Sequence, residues 1–429
     1  MPDTSNPLQV QPDSEQERPT GASRWRLRLT RCGLVGLSLA LALLAGEVIV
    51  RLATCGRMGQ RYGHFIVESV APEDAADSLA DPLIGPGLTV AGDGRGYRLR
   101  RSLRSRFVSI EYDTRLTTNE QGLRSPPLRR DPTFRILCLG DSFCMGMGVD
   151  DDRSYSAVLQ SLVRHEGWDD VEVVNAGVLG YNPGPMYAFF ENEGLALAPR
   201  IVVLEFWVGD DVYCAPGSAI PRLRSQVTVR DRIQAAAFKS HLLLLTMERL
   251  RGIRPVRRWL LDAGVLSRYP SDMLLREGEA DRHKDKIDAL GRLLVRFKQL
   301  CDSRQIQLLL VLMPVREQVS TEFWEATVAY NLRPGPPPKP DLLGPNRTMK
   351  QLTEAAGIEM LDLLPVIAAA NRVEACYFPK WDVHFNERGH QVVAQELFRR
   401  LEERLRKDSE AGRRQGKTPD GRPAGAPGP

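Results

Sequence analysis

From Phe134 onward the chain alternates short, almost wholly apolar runs with longer segments whose apolar residues recur every three or four positions. The runs are Phe134–Leu139, Val171–Ala176, Ile201–Trp207, Ile306–Met313 and Met360–Leu363. Runs of this length without polar alternation belong to strands covered on both faces, as in a parallel sheet. Between them, Tyr155, Val158, Leu159, Leu162 and Val163 fall on one face of a helix that Ser154 is placed to cap. Ile287, Leu290, Leu294 and Phe297 mark a second helix, and Val393, Leu397, Leu401 and Leu405 a closing one over Arg388–Leu405. Strand and helix in alternation predict an α/β sandwich with a parallel sheet.

The chain ahead of Phe134 follows other rules. Residues 1–23 are polar and contain few large apolar groups, which predicts disorder. Arg24, Arg26, Arg28 and Arg31 then precede an apolar run from Cys32 to Val50 that holds a single acid, Glu47. A run of this length is near the short end for a bilayer span. Glu47 is expected to reach the interface or face a partner helix. The flanking arginines favour a cytoplasmic N-terminus (1–31), a signal-anchor at 32–52 and the remainder on the far side. A cleaved signal fits less well, because a cut after Ala45 would leave Leu43, which is not small, three residues back. Residues 53–130 read as a lead-in segment packed on the main domain, with small strands in stretches such as Phe107–Tyr112. The main domain spans 131–407 with inserts at 215–284 and 320–346, and 408–429 is a Gly/Pro/Arg tail expected to be disordered. In the first insert Leu242–Leu245 are expected to bury against the sheet. Arg249, Arg251, Arg254, Arg257 and Arg258 are expected to be solvated, the alternative being an amphipathic lid on a membrane surface or an acidic polymer.

Charge and cysteine usage narrow the function. The net charge of +4 is dispersed among acids, with no basic stripe and interleaved aromatics, which argues against nucleic acid as a partner. Seven cysteines and six histidines are scattered without paired spacing. That argues against a zinc site or a disulfide framework.

Candidate chemistry gathers at strand ends, where open α/β sheets bind ligands. Gly140-Asp141-Ser142 ends the first strand, Gly177 to Gly184 follows the second, and Val208-Gly209-Asp210-Asp211 follows the third. A serine is a weak nucleophile unless a base takes its proton and a third group orients that base. Asp382 and His384, one residue apart in the loop before the last helix, suit those two roles. His390, inside that helix, reads as structural.

These residues resemble the SGNH (GDSL-type) hydrolase family, in particular its membrane-anchored bacterial members. Gly140-Asp141-Ser142 matches the first block, Asn175-Ala176-Gly177-Val178-Leu179-Gly180 the second, and Asp382 with His384 the fifth. Thr118-Asn119-Glu120-Gln121-Gly122-Leu123-Arg124 also resembles the lead-in of anchored members, and the likeness covers roughly residues 80–406. The resemblance implies a three-layer α/β/α fold and a serine esterase that forms an acyl-enzyme. Ser142 would be the nucleophile, His384 the base and Asp382 its orienting acid, with an oxyanion hole built from Ser142, Gly180 and the residue at Asp210. It implies an O-acyl ester substrate, with neither metal nor cofactor needed; O-acetyl on an envelope glycan is the expected ester, because the flanking arginines put the domain on the periplasmic side. The third block departs: Asp210 stands where the family has asparagine, and an ionised carboxylate has no donor for an oxyanion. Two rival expectations are an O-acetyltransferase acting on polysaccharide through the same site and a catalytically weakened envelope binding protein.

Overall fold

The computed structural model describes residues 21–53, 64–75, 88–92, 96–109, 111–130, 134–213, 240–264, 266, 268–269, 271–337, 339–379 and 382–414. Of the stretches expected to be disordered, 1–23 and 408–429, residues 1–20 and 415–429 lie outside the described residues, as does the first part of the 215–284 insert, while 21–23 and 408–414 are helical, each continuing the long helix beside it.

A five-stranded sheet forms the centre, from β6 (Phe134–Leu139), β7 (Val171–Asn175), β8 (Ile201–Trp207), β9 (Gln307–Met313) and β10 (Glu359–Asp362). Each strand lies within a residue or so of its apolar run. The order is β10-β9-β8-β6-β7 and every pairing is parallel. The first strand therefore lies inside the sheet, with β7 on one side and β8 on the other. The connections diverge there, and such a switch point opens a crevice at the strands' carboxyl ends.

Two apolar cores cover the sheet. On one face α3 (Tyr155–His165) and the closing helix α8 (Glu387–Arg414) bury Tyr155, Leu159, Val163, Val393, Leu397 and Leu401 against Ile136, Cys138 and Val203. Ser154 caps α3 as expected, its hydroxyl accepting from the Ala157 N–H. On the other face α4 (Pro183–Asn192) and α7 (Lys284–Ser303) bury Met186, Phe190, Leu290, Leu294 and Phe297 against Leu137, Leu139, Val202 and Leu204. Helix, sheet and helix make the three-layer sandwich. The closing helix runs past Leu405 to Arg414.

The lead-in segment forms a hairpin of β2 (Thr89–Gly92) and β3 (Gly96–Leu99) and a sheet of β1 (His64–Ser69), β4 (Arg104–Val108) and β5 (Asp113–Thr117) in the order β1-β4-β5. Of Phe107–Tyr112, Phe107 and Val108 end β4, and Ser109, Glu111 and Tyr112 lie beyond it. The Ser109 N–H donates to the Tyr112 carbonyl, and the Ser109 hydroxyl accepts from the N–H groups of Glu111 and Tyr112. A serine that caps its own turn in this way ends the strand. After β5, Asn119 Oδ1 accepts from the N–H groups of Gln121 and Leu123, and Arg124 reaches across to the main domain.

Helix α1 (Gly21–Ala53) contains the one described segment, Thr30–Ala53, that is long and apolar enough to cross a membrane, with a mean hydropathy of 2.2. Glu47 has found a partner helix. Its carboxylate accepts from the Ser240 hydroxyl and from the N–H groups of His241 and Leu242, and so caps α5 (His241–Gly252) from outside. An acid at a helix N-terminus meets both the free N–H groups and the positive end of the helix dipole. The expected burial of Leu242–Leu245 against the sheet is corrected by this contact: Leu244, Leu242 and Leu245 pack on Val50 of α1. Of the basic cluster, Arg249, Arg254 and Arg258 are exposed. Arg257, on α6 (Arg254–Asp262), instead donates to the Ala329 carbonyl.

Candidate active site

The turn that carries Ser142 is built by the carboxyl end of β6. Asp141 breaks the strand and caps α2 (Ser142–Met145), its side chain accepting the Phe143 N–H at 2.7 Å. Gly146 ends this single turn in the left-handed conformation. Arg124 secures the exit from the turn by donating to the carbonyls of Met145 at 2.9 Å and Val149 at 2.7 Å. Gly140 has to lack a side chain, because a Cβ there would lie 2.1 Å from Glu205 Oε2.

His384 arrives from the loop before α8. Asn386 fixes that loop, its N–H donating to the Cys376 carbonyl and its side-chain oxygen accepting from the Gly389 N–H. The imidazole packs 4.8 Å from the Phe143 ring, which in turn meets Trp207 and Phe385. From that position Nε2 lies 2.7 Å from Ser142 Oγ and Nδ1 lies 2.5 Å from Asp382 Oδ1. Asp382 Oδ1 also accepts the His384 N–H at 2.9 Å. Residues 242 positions apart in sequence are thus brought into one hydrogen-bonded line.

Electrostatics polarise this line. Burial opposes ionisation of Asp382, but the imidazole charge and the hydrogen bonds from His384 and Tyr112 outweigh it and bring the carboxyl down to about 2. Burial likewise opposes the imidazolium of His384, but the facing Asp382 carboxylate outweighs it and leaves its pKa raised. Such an arrangement favours the tautomer with a proton on Nδ1 and a lone pair on Nε2 aimed at the serine hydroxyl. His390 differs: burial, then the nearby Arg124 and His384 charges, push it down to about 3, and its Nδ1 accepts the Tyr155 N–H. That bond is structural.

The residues expected to hold an oxyanion follow the ends of β6, β7 and β8. Neither the Ser142 N–H nor the Gly180 N–H makes a hydrogen bond among the described residues. Gly180 has φ +74°, which favours glycine, and the Tyr97 hydroxyl donates at 2.7 Å to the preceding Leu179 carbonyl. In a trans peptide C=O and N–H point oppositely, so pinning the carbonyl aims the Gly180 N–H. Asp210 is exposed at the end of β8, and its carboxylate makes no hydrogen bond among the described residues. Desolvation where its carboxyl meets the protein raises its pKa, against the pull of Lys286, although the residue as a whole stays open to solvent.

Beneath the turn lies a group that sequence reasoning missed. Asp141, Glu205 and Asp211 are all buried, and an oxygen from each lies within 4.8 Å of the others. Glu205 Oε2 accepts the Asp141 N–H at 3.1 Å, and Asp211 Oδ2 accepts the Trp207 N–H at 2.7 Å. Burial, reinforced by mutual repulsion, raises Glu205 and Asp211 well above the usual carboxylate range. Burial pushes Asp141 up to about 6, against the Phe143 N–H and the His384 charge. All three shifts favour the protonated acids. Glu205 was hidden because it is one acid inside an otherwise apolar strand, and the only signal was that it faces the glycine of the Ser142 turn.

Residues 138–392 match the model of the GDSL-like lipase/acylhydrolase family. The chain belongs to that family. It is an ester-hydrolysing enzyme of the GDSL (SGNH) type. Solved structures similar to it include the acetyl xylan esterase AlAXEase, at 14% identity and a TM-score of 0.36 over 62% of this chain and 100% of that one. A catalytic mutant of the acetylxylan esterase Axe2 from Geobacillus stearothermophilus gives 13% identity and a TM-score of 0.35 over 64% and 96%. A member of the lipolytic G-D-S-L family from Veillonella parvula gives 15% and 0.34 over 63% and 100%. No curated protein matches the chain.

Proposed function

We propose that this GDSL hydrolase is a membrane-anchored serine esterase that removes O-acyl groups, O-acetyl in the first instance, from glycans of the cell envelope. The observation that carries the proposal is the line Ser142 Oγ, His384 Nε2, His384 Nδ1, Asp382 Oδ1, with links of 2.7 and 2.5 Å. Ser142 Oγ attacks the ester carbonyl as its proton passes to His384 Nε2, and the carbonyl π pair moves onto oxygen. The N–H groups of Ser142 and Gly180 receive that oxyanion. Collapse breaks the bond to the alcohol, which leaves with the proton from His384. Water then repeats the attack on the acyl-serine, giving its proton to His384, and the carboxylic acid departs as Ser142 recovers its proton. Asp382 orients the imidazole throughout.

Asp210 is the third oxyanion donor in this reading, and it donates only when protonated. Its raised pKa supports a protonated fraction larger than an ordinary aspartate has. Asp210 is also the observation that favours the second reading, a weakened catalyst retained for binding. The N-terminal arginines and the apolar Thr30–Ala53 segment support an anchor with the catalytic domain outside the cytoplasm.

The test is acetate release from chemically O-acetylated polysaccharide by the full-length protein in detergent, beside p-nitrophenyl esters of increasing acyl length. Release by the wild type, none by Ser142→Ala, and a preference for the shortest ester support the reading. Equal release by both proteins, or a preference for long acyl chains, contradicts it.

A further inference from the structure

The turn between β4 and β5 ends against the acid of the Ser142–His384–Asp382 line. The Tyr112 hydroxyl donates to Asp382 Oδ2, across 270 residues of sequence. The neighbouring Glu111 Oε2 accepts the Asp382 N–H at 2.9 Å. Both residues lie outside the stretch that matches the family model, which begins at residue 138.

Asp382 has two carboxylate oxygens and each has a distinct duty. Oδ1 serves His384, and Oδ2 has only Tyr112 among the described residues. Rotation about the last side-chain bond of an aspartate is soft. One bonded oxygen leaves the carboxylate free to swing, whereas bonds at both oxygens fix its plane and therefore the imidazole. The Tyr112 ring is itself fixed, 5.2 Å from Phe107 and 4.7 Å from Phe378. Burial, and next the Asp382 charge, push the phenol well above its ordinary range, so it remains a donor at every working pH.

We infer that Tyr112 is a positioning residue for catalysis, a fourth member of the line that holds Asp382 and makes the lead-in sheet part of the active site. The inference rests on the esterase reading. Its consequence is directional. The turn that carries Tyr112 belongs to the segment between the apolar helix and the hydrolase domain, so displacement of that sheet unfastens the catalytic acid without touching the substrate crevice.

The test is Tyr112→Phe in the full-length protein, which keeps the ring and removes the donor. A hydrogen bond to an ionised acceptor is stronger than one between neutral groups, and part of it is expressed in the transition state. The expected result is kcat lower by about tenfold with KM unchanged. Losing the donor leaves more charge on Asp382 facing His384, so the acidic limb of the kcat/KM profile should move to higher pH. The other charged groups in reach are Asp141 beside His384, Glu111 at the Asp382 N–H, and Arg316, whose Nη1 lies 3.5 Å from the Asp382 carbonyl. None of these is altered by the substitution. In an Asp382→Asn background, Tyr112→Phe should have little further effect, which a merely structural tyrosine would not show. A Tyr112→Phe enzyme with wild-type kcat and pH profile, or losses in the two variants that simply multiply, overturns the inference. Ser142→Ala measured alongside separates the failures. If it keeps activity, the esterase reading is wrong. If it is inactive while Tyr112→Phe matches the wild type, only the role of Tyr112 falls.

Discussion

Replacing Asp141 with asparagine should flatten the pH dependence of stability over a defined window. Asp141 caps α2 and sits with Glu205 and Asp211 beneath the Ser142 turn, only 5% exposed. Burial raises it from an ordinary 3.8 to about 6. A folded-state pKa raised in this way favours the protonated acid in the fold. The contribution is fully present below about pH 4, where both states are protonated. It is lost as pH rises, because the unfolded chain releases the proton near pH 4 and the folded chain holds it until near pH 6. At about 1.4 kcal/mol per pKa unit the loss is about 3 kcal/mol. The substituted asparagine cannot titrate, yet its side-chain oxygen still accepts the Phe143 N–H, so the cap survives. Neutralising this position also relieves repulsion on Glu205 and Asp211, which adds in the same direction. Urea unfolding of both full-length proteins in detergent, followed by tryptophan fluorescence from pH 4 to 7.5, reads the difference. Relative to wild type, Asp141→Asn should gain about 3 kcal/mol between the two ends of that range. Two curves that stay parallel across it would refute the reasoning, and would mean that Asp141 is ionised in the fold at acid pH.

Asp210→Asn restores a neutral donor where a carboxylate stands, so kcat on a simple ester should rise at neutral pH. The mutant to wild-type ratio should fall as pH drops and Asp210 is protonated, and a flat ratio near one in a pH–rate series would remove Asp210 from the oxyanion hole. Tyr97→Phe frees the Leu179 carbonyl and loosens the Gly180 donor, which should lower kcat several-fold, within the roughly hundredfold or more that a lost oxyanion donor costs, with KM unchanged. A reporter fused after residue 406 should be active only outside the cytoplasm, and strong activity of a cytoplasm-only reporter would contradict the proposed topology.

The buried parallel strands were legible because each is a short apolar run with almost no polar interruption: β6 and β8 coincide with the runs Phe134–Leu139 and Ile201–Trp207. Ser142, Asp382 and His384 were legible because each sits where a strand or loop meets a helix, and the structure brings them into one line. Tyr112 was not, because its role depends on a partner in a distant loop and the alternation at Phe107–Tyr112 resembles a strand until Ser109 ends it. Glu205 was concealed in the other direction, since a lone acid in an apolar strand changes the pattern little. Leu242–Leu245 were read as facing the sheet because four leucines in succession do not say which surface covers them. Their partner is Val50 of α1, together with the Glu47 cap, and no local pattern encodes that contact.

The central claim is that Ser142 is a nucleophile activated by His384. A fluorophosphonate probe applied to the full-length protein, with the modified residue located by peptide mass mapping, tests it most directly. The account predicts one adduct per chain on Ser142, none on Ser142→Ala, and labelling of His384→Ala slowed by orders of magnitude. An adduct on another serine, or Ser142→Ala labelled at the wild-type rate, would contradict it.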